Sequence, residues 1–183
     1  FVKIEADRIK TYPMKGTISA TLPDAEALLL NNPKEIDEHK KVVALLSKDL
    51  AQVASDIHVS RFRYVDVIEK STGDLLQTSS EIIGTLPDNW QAQLGTLLSK
   101  LLPAGSICGA PRESTMKVIA EAETYDRGFY TGIAGVFDGK TLDTCVLIRF
   151  IEHIGEKFYY KSGAGITVQS KPESEYKEIL EKI

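Results

Sequence analysis

After Asn32 the apolar residues Ile36, Val43, Leu46, Leu50 and Val53 recur at the spacing of one helical face. Asn32 can cap that segment, Pro33 fits its first turn and Glu35 completes a capping box, so a helix is predicted over residues 33–53. From Ile57 the pattern turns to alternation, with Val59 and Phe62 followed by Tyr64, Val65, Val67 and Ile68, which reads as a strand with an irregularity. The opening FVKIEADRIKTYP reads as strand, turn and strand. Residues 91–102 and 112–123 read as helices, the second after the punctuation Gly109-Ala110-Pro111. Residues 133–137 and 142–150 flank Asp138-Gly139-Lys140-Thr141, a hairpin signal. Residues 158–168 read as a strand broken by Gly163 and Gly165, and Ser170, Pro172 and Glu173 start a last helix by the same capping logic. Helices and strands are mixed without regular βαβ alternation, which predicts an α+β fold with largely antiparallel sheets and helices on the outer faces.

Composition narrows the partners more than the fold. The 183 residues are 43% hydrophobic and 26% charged, ordinary for a globular domain or a large piece of one. A net charge of -4 excludes a general affinity for nucleic acid or an anionic membrane. An anionic substrate would therefore need a local cation or metal. Cys108 and Cys145 lie in apolar surroundings without metal-ligand spacing, and two buried, reduced thiols of a cytoplasmic protein are expected. No run approaches the roughly 18 apolar residues that span a bilayer. Lys3, Glu5, Asp7, Arg8 and Lys10 break any signal-peptide core. Phe1 stands where a start methionine would, and the chain reads as beginning inside a domain whose N-terminal portion is missing.

Four features can carry chemistry. Glu35 with Glu38, and Glu175 with Glu178, are carboxylates three residues apart on predicted helices, so each pair shares a face and can converge on one point. The first pair continues into Val42 and Leu45, and Lys182 lies one turn beyond Glu178. Carboxylates that extend an apolar stripe need a cation or hydrogen-bond partners, and a hard divalent ion such as magnesium meets that need. Acids that merely complement helix N-termini account for the same spacing. Lys15, between a proline-containing turn and Gly16, is a candidate nucleophile or a solvated loop lysine. Arg149 interrupts the apolar run TCVLIRF, where a buried guanidinium would demand a structural acid or a substrate carboxylate. Gly163-Ala164-Gly165 allows close backbone approach to a ligand. His39, His58 and His153 are scattered, which argues against a histidine metal site.

Taken in order, these pieces resemble the chorismate-binding enzyme family, whose members include anthranilate, aminodeoxychorismate, isochorismate and salicylate synthases. The resemblance runs through PMKGT (13–17), EIDEH (35–39), LQTSSEIIGTL (76–86), LPAGSICGAPRESTMKVIAE (102–121) and RGFYTGIAGVFDGKTLDTCVLIRF, and on to the C-terminal GAGITVQSKPESEYKEILEKI. The block at 102–121 is the most specific, being similar to the family's Pro-Ala-Gly-Ser-Ile-Thr-Gly-Ala-Pro-Lys run. Ser47-Lys48 stand where the family usually carries Arg-Asn, and the family's domain begins well upstream of PMKGT, so the chain resembles the C-terminal part of one catalytic domain. The resemblance implies magnesium held by Glu38 and Glu178, helped by Glu35 and Glu175. It implies Tyr130 and Arg149 on the enolpyruvyl carboxylate, the backbone of Ala164 and Gly165 with Lys182 completing the carboxylate pockets, and Ser106 and Gln77 lining the ring site. Lys15 points to the aminodeoxychorismate branch, because the other branches usually carry alanine there. The implied reaction joins chorismate and ammonia, the ammonia coming from a glutamine amidotransferase subunit. Anthranilate synthesis and a catalytically silent assembly module stay open as alternatives.

Overall fold

The long helix forms where a cap and a proline start it. In the computed structural model, which describes residues 1–71 and 73–181, the side chain of Asn32 accepts from the amides of Lys34 and Glu35. Pro33 occupies the first turn, where no amide is needed. The helix ends at Leu50, three residues short of the predicted end. Its buried face is His39, Val43, Leu46 and Leu50. Glu35 does not close the capping box. Its carboxylate lies instead over the backbone of Gly16.

The chain forms two compact units. The first holds Phe1–Leu102 with Gly135–Thr144. Its strands are β1 (Lys3–Glu5), β2 (Arg8–Thr11), β3 (Met14–Ser19), β4 (Ser55–Ile68) and β5 (Leu75–Thr85), extended by β6 (Ile133–Phe137) and β7 (Thr141–Val146). Its helices are α1 (Ala25–Leu30), α2 (Pro33–Leu50) and α3 (Leu94–Leu101), the last preceded by a 3-10 turn at Trp90–Gln93. The seven strands run in the order β3-β5-β2-β1-β7-β6, with β4 on the other side of β5. The pairings of β5 with β2, β3 and β4, and of β1 with β2 and β7, are all antiparallel, as the sequence predicts. The register sets Ile4 opposite both Ile9 and Leu142, so these side chains share one face. With Val43, Leu46, Leu50, Ile82, Leu97 and Leu101 they make the core. Each such side chain removed from water stabilises the fold by about 1.5–3 kcal/mol.

The second unit holds Pro103–Ala134 and the residues from Cys145 onward. It comprises α4 (Gly105–Cys108), α5 (Arg112–Ala122), the antiparallel hairpin β8 (Phe150–Ile154) with β9 (Lys157–Lys161), and α6 (Pro172–Glu181). Several expectations are corrected here. The predicted strand over residues 142–150 is two strands, because the chain turns at Ile148 and Arg149, the latter at φ 53°. The strand predicted over 158–168 ends at Lys161, and the glycine-rich segment after it is irregular. Ser170 does not cap α6: its hydroxyl accepts from the amide of Thr167. Cys108 is buried but Cys145 is exposed, and both are free thiols. Among the described residues no helix is long and apolar enough to cross a membrane.

His39 is wholly buried on α2, and burial holds its imidazole below the ordinary value of 6.5, with the Arg63 charge adding to the effect. The folded state thus binds fewer protons than the unfolded chain. Stability should be full above about pH 6.5 and fall as pH drops from there toward the depressed folded value. His39→Gln should flatten that fall, as urea denaturation at pH 7.5 and pH 5 would read. An unchanged pH dependence would assign the loss to other groups.

Candidate functional site

In the first unit, four of the candidate residues come together around one irregularity of the sheet. Strand β3 pairs with β5 from Met14 opposite Ser79 to Ser19 opposite Leu75, and the register shifts between Met14 and Thr17. Lys15 and Gly16 are the residues inside that bulge. Bulges re-aim side chains, and here the Lys15 ammonium lies 2.9 Å from Glu38 Oε2 on α2. Lys34 approaches the other carboxylate oxygen at 3.9 Å. The Lys15 side chain is 44% exposed and that of Glu38 33%, so the pair adds less than about 1 kcal/mol to the fold; what it fixes is direction.

Gly16 has φ 91°, and a methyl group there would come within 3.1 Å of Glu35 Oε2 and 3.3 Å of Thr78 Oγ1. The bulge can therefore settle onto α2 only with glycine at this position. Thr78 donates from Oγ1 to the carbonyl of Lys15 in a short hydrogen bond. Gln77 donates from Nε2 to Thr17 Oγ1 at 3.2 Å, which ties its amide to the same strand.

The second unit presents a separate group. Tyr130 is half-buried, and burial raises its phenol above the ordinary range, so it acts as a neutral hydrogen-bond donor. Its hydroxyl lies where a side chain on Gly163 would begin, so glycine at 163 is what admits the phenol oxygen. Arg127 grips Glu123 with two nitrogens, Nε bonding Oε2 at 2.6 Å, and donates to Thr131 Oγ1 at 3.0 Å. Its guanidinium lies 5.5 Å from the Tyr130 ring centre. Glu123 is held below the usual carboxylate range by the Arg127 hydrogen bond.

Ala164 is half-buried and Gly165 exposed, in the irregular segment that leads to α6. Nothing lies within 4 Å of the position a Gly165 side chain would take, so its backbone is open to a ligand. Glu175 is half-buried and Glu178 exposed on successive turns of α6. Ser106 is exposed on α4. Arg149 corrects the sequence reading: it is exposed rather than buried, and among the described residues it forms no ion pair. Lys182 lies outside the described residues.

The donor chemistry suits magnesium. The candidate ligands are hard carboxylate oxygens, and Glu38 already neutralises a cation. Each unit brings two such carboxylates. Within either unit, among the described residues, no three acidic, imidazole or thiol groups converge.

Sequence reasoning missed His39, Thr78 and Ser80 beneath Lys15, and the Glu123–Arg127 clamp beside Tyr130. A signal existed for the first group. Thr78-Ser79-Ser80 is a run of three hydroxyl side chains within β5, and all three prove fully buried, where hydroxyls must find partners.

Comparison with known proteins follows this geometry. The chain is 57% identical over 183 residues to an uncharacterized PabA-like protein of Haemophilus influenzae, covering all of this chain and 56% of that protein. It thus spans a little over half the length of this relative. It is 36% identical over 188 residues to an anthranilate synthase component 1 of Haloarcula marismortui, covering 97% of this chain and 37% of that one. It is 35% identical over 182 residues to aminodeoxychorismate synthase component 1 of Bacillus subtilis, covering 95% and 37%. Anthranilate synthase component I from Streptococcus pneumoniae superposes with a TM-score of 0.83 at 27% identity, over 99% of this chain and 40% of that one. The family of chorismate binding enzymes matches residues 1–183 from end to end, and the chain belongs to it.

Proposed function

We propose that the chain is part of the aminating subunit of an aminodeoxychorismate synthase, which converts chorismate and ammonia to 4-amino-4-deoxychorismate for para-aminobenzoate and folate synthesis. One observation carries this reading: a lysine occupies the bulge at position 15, with its nitrogen 2.9 Å from Glu38 and its own carbonyl fastened by Thr78. A nucleophile needs that kind of fixed aim.

In the proposed reaction the Lys15 amine, in its neutral form, attacks C2 of chorismate. The ring double bonds shift, the C4–O bond breaks and the hydroxyl leaves as water once a general acid has protonated it. Ammonia then adds at C4, the double bonds shift back and the C2–N bond breaks, returning Lys15 as the free amine. The carboxylates of Glu35, Glu38, Glu175 and Glu178 are the proposed ligands of magnesium. It would neutralise the ring carboxylate of chorismate. Tyr130 and Arg149 supply a donor and a charge for the enolpyruvyl carboxylate. The open backbone at Ala164 and Gly165 would add donors for the carboxylates, as would Lys182, and Gln77 and Ser106 are the proposed contacts of the ring. Ammonia comes from a glutamine amidotransferase subunit.

A second reading, anthranilate synthesis by direct addition of ammonia at C2, is favoured by the relatives of that name at similar identity. Product analysis decides between them. The polypeptide carrying this chain, incubated with chorismate, magnesium and ammonium salt, should yield 4-amino-4-deoxychorismate without pyruvate. Anthranilate with release of pyruvate would overturn the first reading.

A further inference from the structure

Strand β5 sets one residue, Thr78, against two of β3. Met14 lies opposite Ser79 and Thr17 opposite Gln77, so Lys15 and Gly16 share the space that Thr78 faces. A two-against-one bulge takes the ladder out of step and leaves the extra residue unpaired. A backbone carbonyl in that position needs another donor. Here the Thr78 hydroxyl donates to the Lys15 carbonyl. The bulge is pinned on either side as well. The Ser80 amide donates to the Pro13 carbonyl at 2.9 Å, and Gln77 Nε2 donates to Thr17 Oγ1 at 3.2 Å.

Nothing in the strand itself calls for a hydroxyl at position 78. Side chains alternate along a strand, so Thr78 and Ser80 share the face of β5 that α2 covers, where Ser80 Oγ meets His39 Nε2 at 2.7 Å. Thr78 is 0% exposed and pairs with Val65 of β4 on its other side. Valine would fill such a site with the same branched shape and without a polar atom. Burying a hydroxyl instead is unfavourable unless it is hydrogen-bonded. The strand has no use for the Thr78 oxygen, and the bulge has one. That oxygen also lies 3.3 Å from where a side chain on Gly16 would begin, so any other residue at 16 would press on it.

We infer that Thr78 is a positioning residue for Lys15: its buried hydroxyl serves the Lys15 carbonyl in place of a ladder partner, and so keeps the bulge that aims the Lys15 side chain at Glu38. The catalytic consequence rests on the reading of Lys15 as nucleophile, whereas the positioning is testable without substrate. In the wild type the Thr78 hydroxyl proton should appear in the NMR spectrum as a signal in slow exchange with water. A Thr78 hydroxyl proton in free exchange overturns the inference.

Two variants separate the hydroxyl from the shape around it. Thr78→Val keeps the branched shape and loses the donor, whereas Thr78→Ser keeps the donor and loses the methyl group. The two Lys15 Cε protons, distinct in a fixed side chain, should average in Thr78→Val and stay distinct in Thr78→Ser. With the proposed reaction running, Thr78→Val should lower kcat about 10- to 100-fold with little change in KM, the order expected of a misplaced reacting group. Thr78→Ser should stay close to wild type. A residue that merely packs would give the reverse order, with serine the more damaging. That reverse order overturns the inference, as does a Thr78→Val protein with distinct Cε protons. Should Thr78→Val fail to fold, the hydroxyl proton of the wild type still decides. A protein that forms no aminodeoxychorismate, yet shows the slow hydroxyl proton and averages the Cε protons in Thr78→Val alone, refutes the reaction and leaves the positioning role intact.

Discussion

Lys15→Ala is expected to lower formation of 4-amino-4-deoxychorismate by at least about 100-fold, since one positioned reacting group contributes on the order of 10²–10⁴ in rate. Lys15→Arg should lose as much. A guanidinium can keep the ion pair with Glu38 but stays protonated and cannot attack. The two variants should differ in what remains. Alanine removes the group that occupies C2 in the proposed reaction, so ammonia should reach that carbon directly and give the 2-amino product. Arginine leaves C2 blocked and should give neither. Chromatography with mass detection, in chorismate, magnesium and ammonium salt, reads both products at once. When ammonia is withheld, the wild type should carry the dehydrated chorismate ring on the peptide spanning residues 12–17. Equal formation of the 4-amino product by wild type and Lys15→Ala, with no adduct in the wild type, would remove Lys15 from the reaction.

What could be read from the sequence follows the range of the interactions involved. Helix α2 was legible because its start signals are adjacent to it, and Glu35 and Glu38 fall on one face by helical geometry alone. The antiparallel class was legible from alternation and turn residues. The aim of Lys15 was not, because the bulge that sets it depends on pairing with a strand some sixty residues away, at Gln77 and Ser79. His39 looked incidental for the same reason: its partner Ser80 is 41 positions distant. Arg149 misled in the other direction. Its apolar neighbours suggested burial, but β7 ends at Val146 and a left-handed residue at 149 turns the chain, leaving the guanidinium exposed. Local apolar runs report burial only while the strand continues through them.

Glu38→Gln should abolish the stabilisation of the protein by magnesium while leaving its fold in place. The substitution keeps the size of the side chain and removes its charge, so the helix loses only an ion pair of small energetic weight. A ligand present at about 100 times its dissociation constant stabilises the folded state by roughly 2.7 kcal/mol. The wild type should therefore melt higher as magnesium is added, and Glu38→Gln should not. Asp37→Asn is the control: Asp37 is exposed and pairs with Lys41 at 2.6 Å, so its removal should leave the magnesium response unchanged. Lys15→Ala should act in the opposite sense to Glu38→Gln. The Lys15 ammonium and the metal ion compete for one carboxylate, so without the lysine the same stabilisation should appear at lower magnesium. An identical magnesium response in wild type and Glu38→Gln would take Glu38 out of the metal site, and would leave the ion pair with Lys15 as its only role.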